Sequence, residues 1–398
     1  MSRIVVRPSV AHVTTISESL EILLLDQLKT IAAAGYEVAG LSAPGRGAPA
    51  LESAGIRHVP VPFVRASQLT PAADLRAFAS MVATFRRERF TIVHTHTAKA
   101  DLYAAMAARL AGVPIVITTL HGFLFHDLTP PRRRAFYARL AKLGMRFCDL
   151  VLSQSSEDVE TAVREHICPA SKIELLGNGI DVDRFDRARI DPDTTARLRA
   201  ELGIADDAIV VGFVGRLVDE KGVRELLSAT ASLRTKHPKL RVLLVGWYDE
   251  MKADAVRPET ASRYGVEDVC VFTGHRRDLP ELYSLMDIFV LPSHREGVPR
   301  TAMEASAMGI PVVATRIRGC RTVVDDQRTG LLVEVKAPEE LAAALDRLLR
   351  DRSVRVAMGG EGRRRAEQHF DQRTVFAKVL SAYDRLLTAK SDKMRPHA

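Results

Sequence analysis

The stretch I-V-V-G-F-V-G-R-L-V-D-E-K-G (Ile209–Gly222) decides the fold. Ile209–Val214 is an uninterrupted apolar run, which predicts a strand covered on both faces, as in a parallel sheet. A Gly-bounded loop follows, and a helix is predicted from Val223 to about Arg234. The same rhythm repeats downstream, with strands predicted at Leu240–Val245, Val269–Phe272, Ile288–Leu291, Val312–Ala314 and Leu331–Val333. Upstream, strands are predicted at Val10–Thr14, Glu37–Leu41, His58–Val61, Thr91–His94, Ile115–Thr118 and Leu150–Ser153. Helices fall between them, such as Glu18–Ala34 closed by Gly35, and Ala98–Ala111 closed by Gly112-Val113-Pro114. Gly just past a helix, with Pro soon after, is a stop signal.

Strands alternating with helices throughout imply an α/β protein with parallel sheets. The rhythm breaks in the turn-rich, charged segment Gly177–Pro192. Two doubly wound domains are therefore expected, residues 1–182 and 183–369, facing a central cleft. Ligands in such sheets bind at the carboxyl ends of strands. Phe370–Lys390 reads as a helix preceded by a basic, Gly-broken stretch (Gly359–Arg365). Residues 370–398 are expected to cross back to the first domain and end in a frayed tail.

A chain of 398 residues suits two cores. Its 46% hydrophobic and 27% charged residues describe a globular protein. No apolar run approaches the roughly 18 residues of a spanning helix, and Met1–Val10 lacks the pattern of a secretory signal. Cys148, Cys168, Cys270 and Cys320 contain no C-x-x-C pair, which argues against a zinc site or a disulfide framework and suits a reducing cytoplasm. A net charge of +8 permits anionic partners without choosing among them.

Two segments carry chemistry. In Gly215–Gly222, Arg216 and Lys221 converge with the amides of a helix start, where an anion would sit. Arg216 offers a planar fork and Lys221 a mobile charge. The alternative is a solvated turn with an Asp219/Lys221 pair. The P-loop spacing is absent. In E-G-V-P-R-T-A-M-E (Glu296–Glu304), Glu296 precedes a helix starting near Arg300, and Glu304 lies in its second turn. Carboxylates accept from vicinal hydroxyls. Glu304 could instead serve only the helix dipole.

These segments, with F-T-G-H-R-R-D-L-P-E-L-Y (Phe272–Tyr283), H-R-E-G-V-P-R-T-A-M-E-A-S-A-M-G-I-P-V-V-A-T (His294–Thr315) and R-G-C-R-T-V-V-D-D-Q-R-T-G-L-L-V (Arg318–Val333), resemble the donor domain of retaining glycosyltransferase family 4. The linker G-N-G-I-D (Gly177–Asp181) also matches. I-V-H-T-H-T (Ile92–Thr97) and T-T-L-H-G-F-L-F-H (Thr118–His126) are similar to bacterial members that build lipid-linked cell-surface polysaccharides.

The resemblance implies the GT-B fold, two Rossmann-like domains, and transfer of a sugar from a nucleotide-diphosphate donor, UDP-linked, with retained configuration. It implies that Arg216 and Lys221 hold the diphosphate, Glu304 the ribose and Glu296 the sugar hydroxyls. The amides of the segment Gly297 to Arg300, which includes Val298 and Pro299, would close on sugar and phosphate. Gly215 would line the diphosphate, Gly274 and His275 the base, and His121 would reach the donor sugar. On the acceptor side it points to Ser17, His94, His96 and Lys99. The acceptor implied is a polyprenyl-diphosphate-linked saccharide at the inner membrane face; a small-molecule acceptor is the alternative.

Preorganised cations can replace a divalent metal at a leaving diphosphate, so no obligatory metal or cofactor is expected beyond the nucleotide sugar. Asp181-Val182-Asp183 has metal-site spacing but reads as linker turn chemistry. His94 and His96 share a strand face; lacking a third ligand nearby, they read as cleft-lining or structural residues. The chain departs from relatives that carry Gly-Gly after the first strand: here Thr14–Ser19 stands, and Ser17 or Ser19 could cap the helix. One Trp and seven Tyr give no platform for single-stranded nucleic acid, so a nucleic-acid-binding or scaffold role is disfavoured. In the helix after Pro131, Phe136, Leu140, Leu143 and Phe147 form one stripe among arginines and Lys142. It either touches an anionic bilayer or packs on the sheet.

Overall fold

A computed structural model describes residues 7–64, 70–126, 129–248 and 254–394. The chain forms two compact units that change over at Gly177/Asn178 and again at Arg373/Thr374. The first holds seven strands: β1 (Ser9–Ile16), β2 (Glu37–Ala43), β3 (Arg57–Pro60), β4 (Ile92–Thr95), β5 (Ile115–Leu120), β6 (Leu150–Ser153) and β7 (Ile173–Leu175). Their order is β3-β2-β1-β4-β5-β6-β7, and every pairing is parallel. The second unit holds β8 (Ile209–Val214), β9 (Leu240–Val245), β10 (Cys270–Gly274), β11 (Ile288–Leu291), β12 (Val312–Thr315) and β13 (Gly330–Val333). Their order is β10-β9-β8-β11-β12-β13, again parallel.

Burial on both faces explains the apolar runs. Every residue of β11 and β12 is buried, and Val210, Val211, Phe213 and Val214 of β8 are all inside. Both sheets reverse their winding once, between β1 and β4 and between β8 and β11. There the loops leaving neighbouring strands turn to opposite faces of the sheet and open a crevice, which makes each reversal the place to look for a ligand.

The C-terminal helix Gln372–Met394 belongs to the first unit from Thr374 onward. Val375, Val379, Ala382 and Tyr383 join Val10, Leu20, Leu28, Ile92 and Ile115 in one apolar cluster on its sheet. Tyr36 Oη also donates to Asp384 at 2.7 Å. The two passages between units lie side by side within the second unit: Ile180 N donates to Phe370 O at 2.8 Å, and Gln372 N to Ile180 O at 2.9 Å. Residues 178–182 and 370–373 thus pack with the second unit, a small displacement from the boundaries at 182/183 and 369/370 expected from sequence.

Four local features differ from the sequence reading. The Gly-broken stretch is a continuous helix, Arg352–His369. A Cβ on Gly359 would lie 2.0 Å from Gly309 O, so this glycine permits close packing and does not end the helix. The helix after β1 contains a π turn at Leu20–Leu24 before continuing as Leu25–Ala33. A long helix, Pro71–Glu88, and the short edge strand β7 were not anticipated.

Candidate active site

In the second unit the site forms at the β8/β11 reversal. The loop leaving β8 carries Gly215, Arg216 and Lys221, and the loop leaving β11 carries Glu296. The two loops join through an ion pair: Lys221 Nζ lies 2.6 Å from Glu296 Oε1, with only 17% and 12% of the side chains exposed. Ser293 Oγ donates to the same oxygen at 2.7 Å. Asp219 does not take Lys221; it pairs with Arg224 instead. Arg216 is held loosely, 3.7 Å from Glu220 Oε2, and Glu220 also accepts from Arg295 Nε at 2.9 Å. An exposed pair of that length contributes little, so the Arg216 fork can leave it at small cost.

Gly222 makes the convergence possible. Its φ of +70° is left-handed, and a Cβ there would sit 2.0 Å from Pro292 O, the first residue of the β11 loop. Any side chain would push the two loops apart. Gly222 is also the N-cap of helix Val223–Leu233, and Pro299 that of helix Arg300–Ala307; neither cap supplies a side-chain acceptor. First-turn amides on both sides of the reversal therefore lack the usual cap partner.

Glu304 is buried in helix Arg300–Ala307. Tyr283 Oη donates to its Oε2 at 3.0 Å. Burial pushes its carboxyl pKa up, against the pull of the Arg300 and Arg184 guanidiniums. A buried, hydrogen-bonded carboxylate is more than a surface balance to a helix dipole. Val298 and Pro299 are buried, and Val298 O accepts from Asn178 Nδ2 at 2.9 Å. Ser293 and Asn178, which hold this loop, were not singled out from sequence. Gly274, the last residue of β10, and His275 just after it are exposed, with Gly274 at φ +69°.

At the β1/β4 reversal of the first unit the residues are of another kind. His12 of β1 stands in register with His94 of β4. His12, His94 and His96 are 0%, 0% and 3% exposed, so His94 and His96 line no open surface. A third imidazole does stand near them, that of His12: nitrogens of the three rings lie within 4.8 Å of one another. Burial lowers the His12 pKa to about 3 and holds His94 and His96 well below the usual imidazole range. His121 is half-buried after β5, its Nε2 3.3 Å from His96 Nδ1.

Lys99 is paired with the buried Asp74 at 2.9 Å and ties helix Ala98–Leu110 to helix Pro71–Glu88. Ser17 is buried and accepts from Gly47 N at 3.2 Å; it makes no helix cap, because Ile16 holds the cap position. In the helix Pro131–Arg146 the inward face is Tyr137, Ala138, Ala141, Gly144 and Met145. Phe136 and Leu143 point outward, 47% and 42% exposed, so the stripe noted in the sequence is split and does not all pack on the sheet.

The pair of Rossmann-like units, one with a charged crevice at its strand ends, defines a protein of the GT-B class. Two family profiles match in succession: Glycosyltransferase Family 4 over residues 20–184 and Glycosyl transferases group 1 over residues 194–365. The chain is 27% identical to the capsular polysaccharide biosynthesis glycosyltransferase CapM of Staphylococcus aureus, over 96% of this chain and 98% of that protein. It is 31% identical to a D-inositol 3-phosphate glycosyltransferase of Saccharomonospora viridis, over 84% and 80%. It is 27% identical to the Escherichia coli UDP-Gal:alpha-D-GlcNAc-diphosphoundecaprenol alpha-1,3-galactosyltransferase, over 71% and 72%. Among solved structures, Anabaena Alr3699/HepE in complex with UDP-glucose superposes with a TM-score of 0.79 at 25% identity, over 94% of this chain and 99% of that one. The chain belongs to the group 1 glycosyltransferases with a family 4 N-terminal half, and it is a glycosyltransferase.

Proposed function

We propose that this glycosyltransferase moves a sugar from a UDP-linked donor, with retention and without an obligatory metal, to a hydroxyl of a polyprenyl-diphosphate-linked saccharide in cell-surface polysaccharide synthesis. The observation that carries the reading is the Lys221–Glu296 pair beside the loosely held Arg216 at the β8/β11 reversal. Breaking a glycosyl–phosphate bond leaves positive charge on the sugar and negative charge on the departing diphosphate. Cations fixed beside that diphosphate favour the transition state over the ground state.

Arg216 and Lys221 take the diphosphate, assisted by first-turn amides of the helices that start at Val223 and Arg300. As the ammonium turns toward phosphate, Glu296, still held by Ser293, is left to accept from sugar hydroxyls. Glu304, fixed by Tyr283, accepts from the ribose. His121 is the first unit's catalytic contribution. The uridine donor is favoured because HepE was solved with UDP-glucose and the E. coli relative is named for UDP-Gal. The lipid-linked acceptor is favoured by that relative's diphosphoundecaprenol substrate and by CapM's capsular role.

No described helix is long and apolar enough to cross a membrane. Peripheral contact with the inner membrane face is supported by outward Phe136 and Leu143 among the exposed Arg132, Arg133, Arg139, Lys142 and Arg146.

The test is transfer of labelled sugar from a panel of nucleotide sugars to undecaprenyl-diphosphate N-acetylglucosamine and to inositol phosphate, with and without chelator. Transfer to the lipid acceptor from a UDP-sugar that survives chelator is the expected result. Transfer only to inositol phosphate would overturn the acceptor. Turnover abolished by chelator would overturn metal independence.

A further inference from the structure

The buried histidines of the first unit form a single file of hydrogen bonds. Thr119 Oγ1 lies 2.8 Å from His94 Nε2, and His94 Nδ1 lies 2.6 Å from Tyr383 Oη. Tyr383 Oη lies 3.2 Å from His12 Nε2, and His12 Nδ1 lies 2.9 Å from His96 Nε2. His96 Nδ1 lies 3.3 Å from His121 Nε2. Every ring is entered through Nε2, counting from Thr119, and His94, His12 and His96 are left through Nδ1. Thr119, His94, Tyr383, His12 and His96 are buried, and the file reaches the half-buried His121.

Proton counting then allows two fully bonded states. A neutral imidazole carries one N–H and one lone pair. If Thr119 donates to His94, then His94, Tyr383, His12 and His96 must each donate onward, and all four rings carry their proton on Nδ1. If His121 donates instead, every bond reverses, and all four rings carry it on Nε2. A mixed set broken between two rings leaves two lone pairs or two N–H groups facing each other, and one broken at Tyr383 leaves either its O–H or one imidazole lone pair without a partner in the file; in a buried site each is costly. The depressed pKa values of His12, His94 and His96 keep these rings neutral near pH 7, as the count requires.

We propose that Thr119, His94, Tyr383, His12 and His96 are positioning residues that lock His121 into one shared tautomer. The Nδ1–H state makes His121 Nδ1 a donor, and the Nε2–H state makes it an acceptor. The coupling itself is independent of the reaction; its consequence for transfer rests on the reading of His121 as a catalytic residue.

Histidine-selective 15N labelling of the full chain, with long-range ring correlation spectra near neutral pH, reads each tautomer directly. The expected result is one tautomer, or one averaged ratio, common to His12, His94, His96 and His121. One ring of opposite tautomer in the unsubstituted protein would overturn the proposal without any variant. Stoichiometric metal on these imidazoles in the purified protein would also overturn it, since a metal must displace the proton between His12 and His96.

Thr119→Val is close in shape and removes the hydroxyl at the inner end. A buried N–H without an acceptor is the worse orphan, so His94 should move to Nδ1–H. Where the unsubstituted protein populates Nε2–H, all four rings should shift together toward Nδ1–H by roughly fivefold or more in tautomer ratio; where it already holds Nδ1–H, all four should keep it. Adding Tyr383→Phe leaves His94 without a partner at either nitrogen and should uncouple His12, His96 and His121 from Thr119; a His121 whose tautomer differs from that of His94 in Thr119→Val, with Tyr383 intact, would refute the coupling. Turnover in Thr119→Val, expected to change in kcat with KM held, tests the reading of His121, so the two ideas fail separately.

Discussion

The two winding reversals share a topology and differ in solvent. At β8/β11, the Arg216 side chain is 39% exposed and the cationic loop meets the carboxylate of Glu296 near the surface. At β1/β4 the histidines are sealed in and burial keeps them neutral, with His12 falling to about 3; beside them, against β4 and β5, burial raises Asp101 to about 7 despite its accepting from Thr95 and Thr118. One crevice can meet an anion with charge. The other favours neutral hydrogen bonds, because burial penalises a charge there.

The largest test of this contrast removes the charges. Arg216→Ala or Lys221→Ala should each lower turnover by about 10²–10³-fold while circular dichroism stays native. Near-normal turnover in the double variant would remove the cations from the mechanism.

Lys99 is the counter-case, a lysine near the other reversal whose ammonium is spent on buried Asp74. Lys99→Met should lower stability in urea by roughly 3 kcal/mol, since it strands the carboxylate. A change confined to the KM for acceptor, with stability intact, would return Lys99 to the binding surface.

Asp101 tests neutrality by pH. Its folded pKa lies above its unfolded one, so the protonated form stabilises the fold fully below about pH 4, and that contribution is lost as pH rises to about 7. Asp101→Asn should flatten this part of the stability–pH profile and be the more stable protein at pH 8. An unchanged slope between pH 4 and 7 would mean that Asp101 is already ionised in the fold.

The smallest effect belongs to the outward residues of helix Pro131–Arg146. Phe136→Ser with Leu143→Ser should change stability by no more than about 0.5 kcal/mol each and weaken sedimentation with vesicles containing anionic lipid. Unaltered vesicle binding would remove this face from the membrane proposal.

Much of the fold was legible because buried parallel strands must be apolar on both faces, and β8, β9 and β11 have the limits read from sequence. Helix Pro71–Glu88 also carried a signal, Ala77, Met81, Val82 and Phe85 at helical spacing, that went unread. Strand β7 carried almost none, since only Ile173 of its three residues is buried. Helix Arg352–His369 was hidden because glycine has one appearance in sequence whether it ends a helix or admits a neighbour. Of the proposed site, Arg216, Lys221, Glu296 and Glu304 stand out in the sequence as residue types at fixed spacing. Their partners do not, because Tyr283 and Ser293 act only through proximity.

The sequence by itself determined the parallel α/β class, the family and the basic and acidic segments of the β8/β11 crevice, since these rest on local pattern and charge. Only the tertiary structure decided that Lys221 pairs with Glu296, that Lys99 belongs to Asp74, and that His12 joins His94 and His96. Those outcomes depend on which strands become neighbours and how much water remains between them. His12 and His96 are 84 positions apart along the chain, and a parallel sheet places them in hydrogen-bond contact.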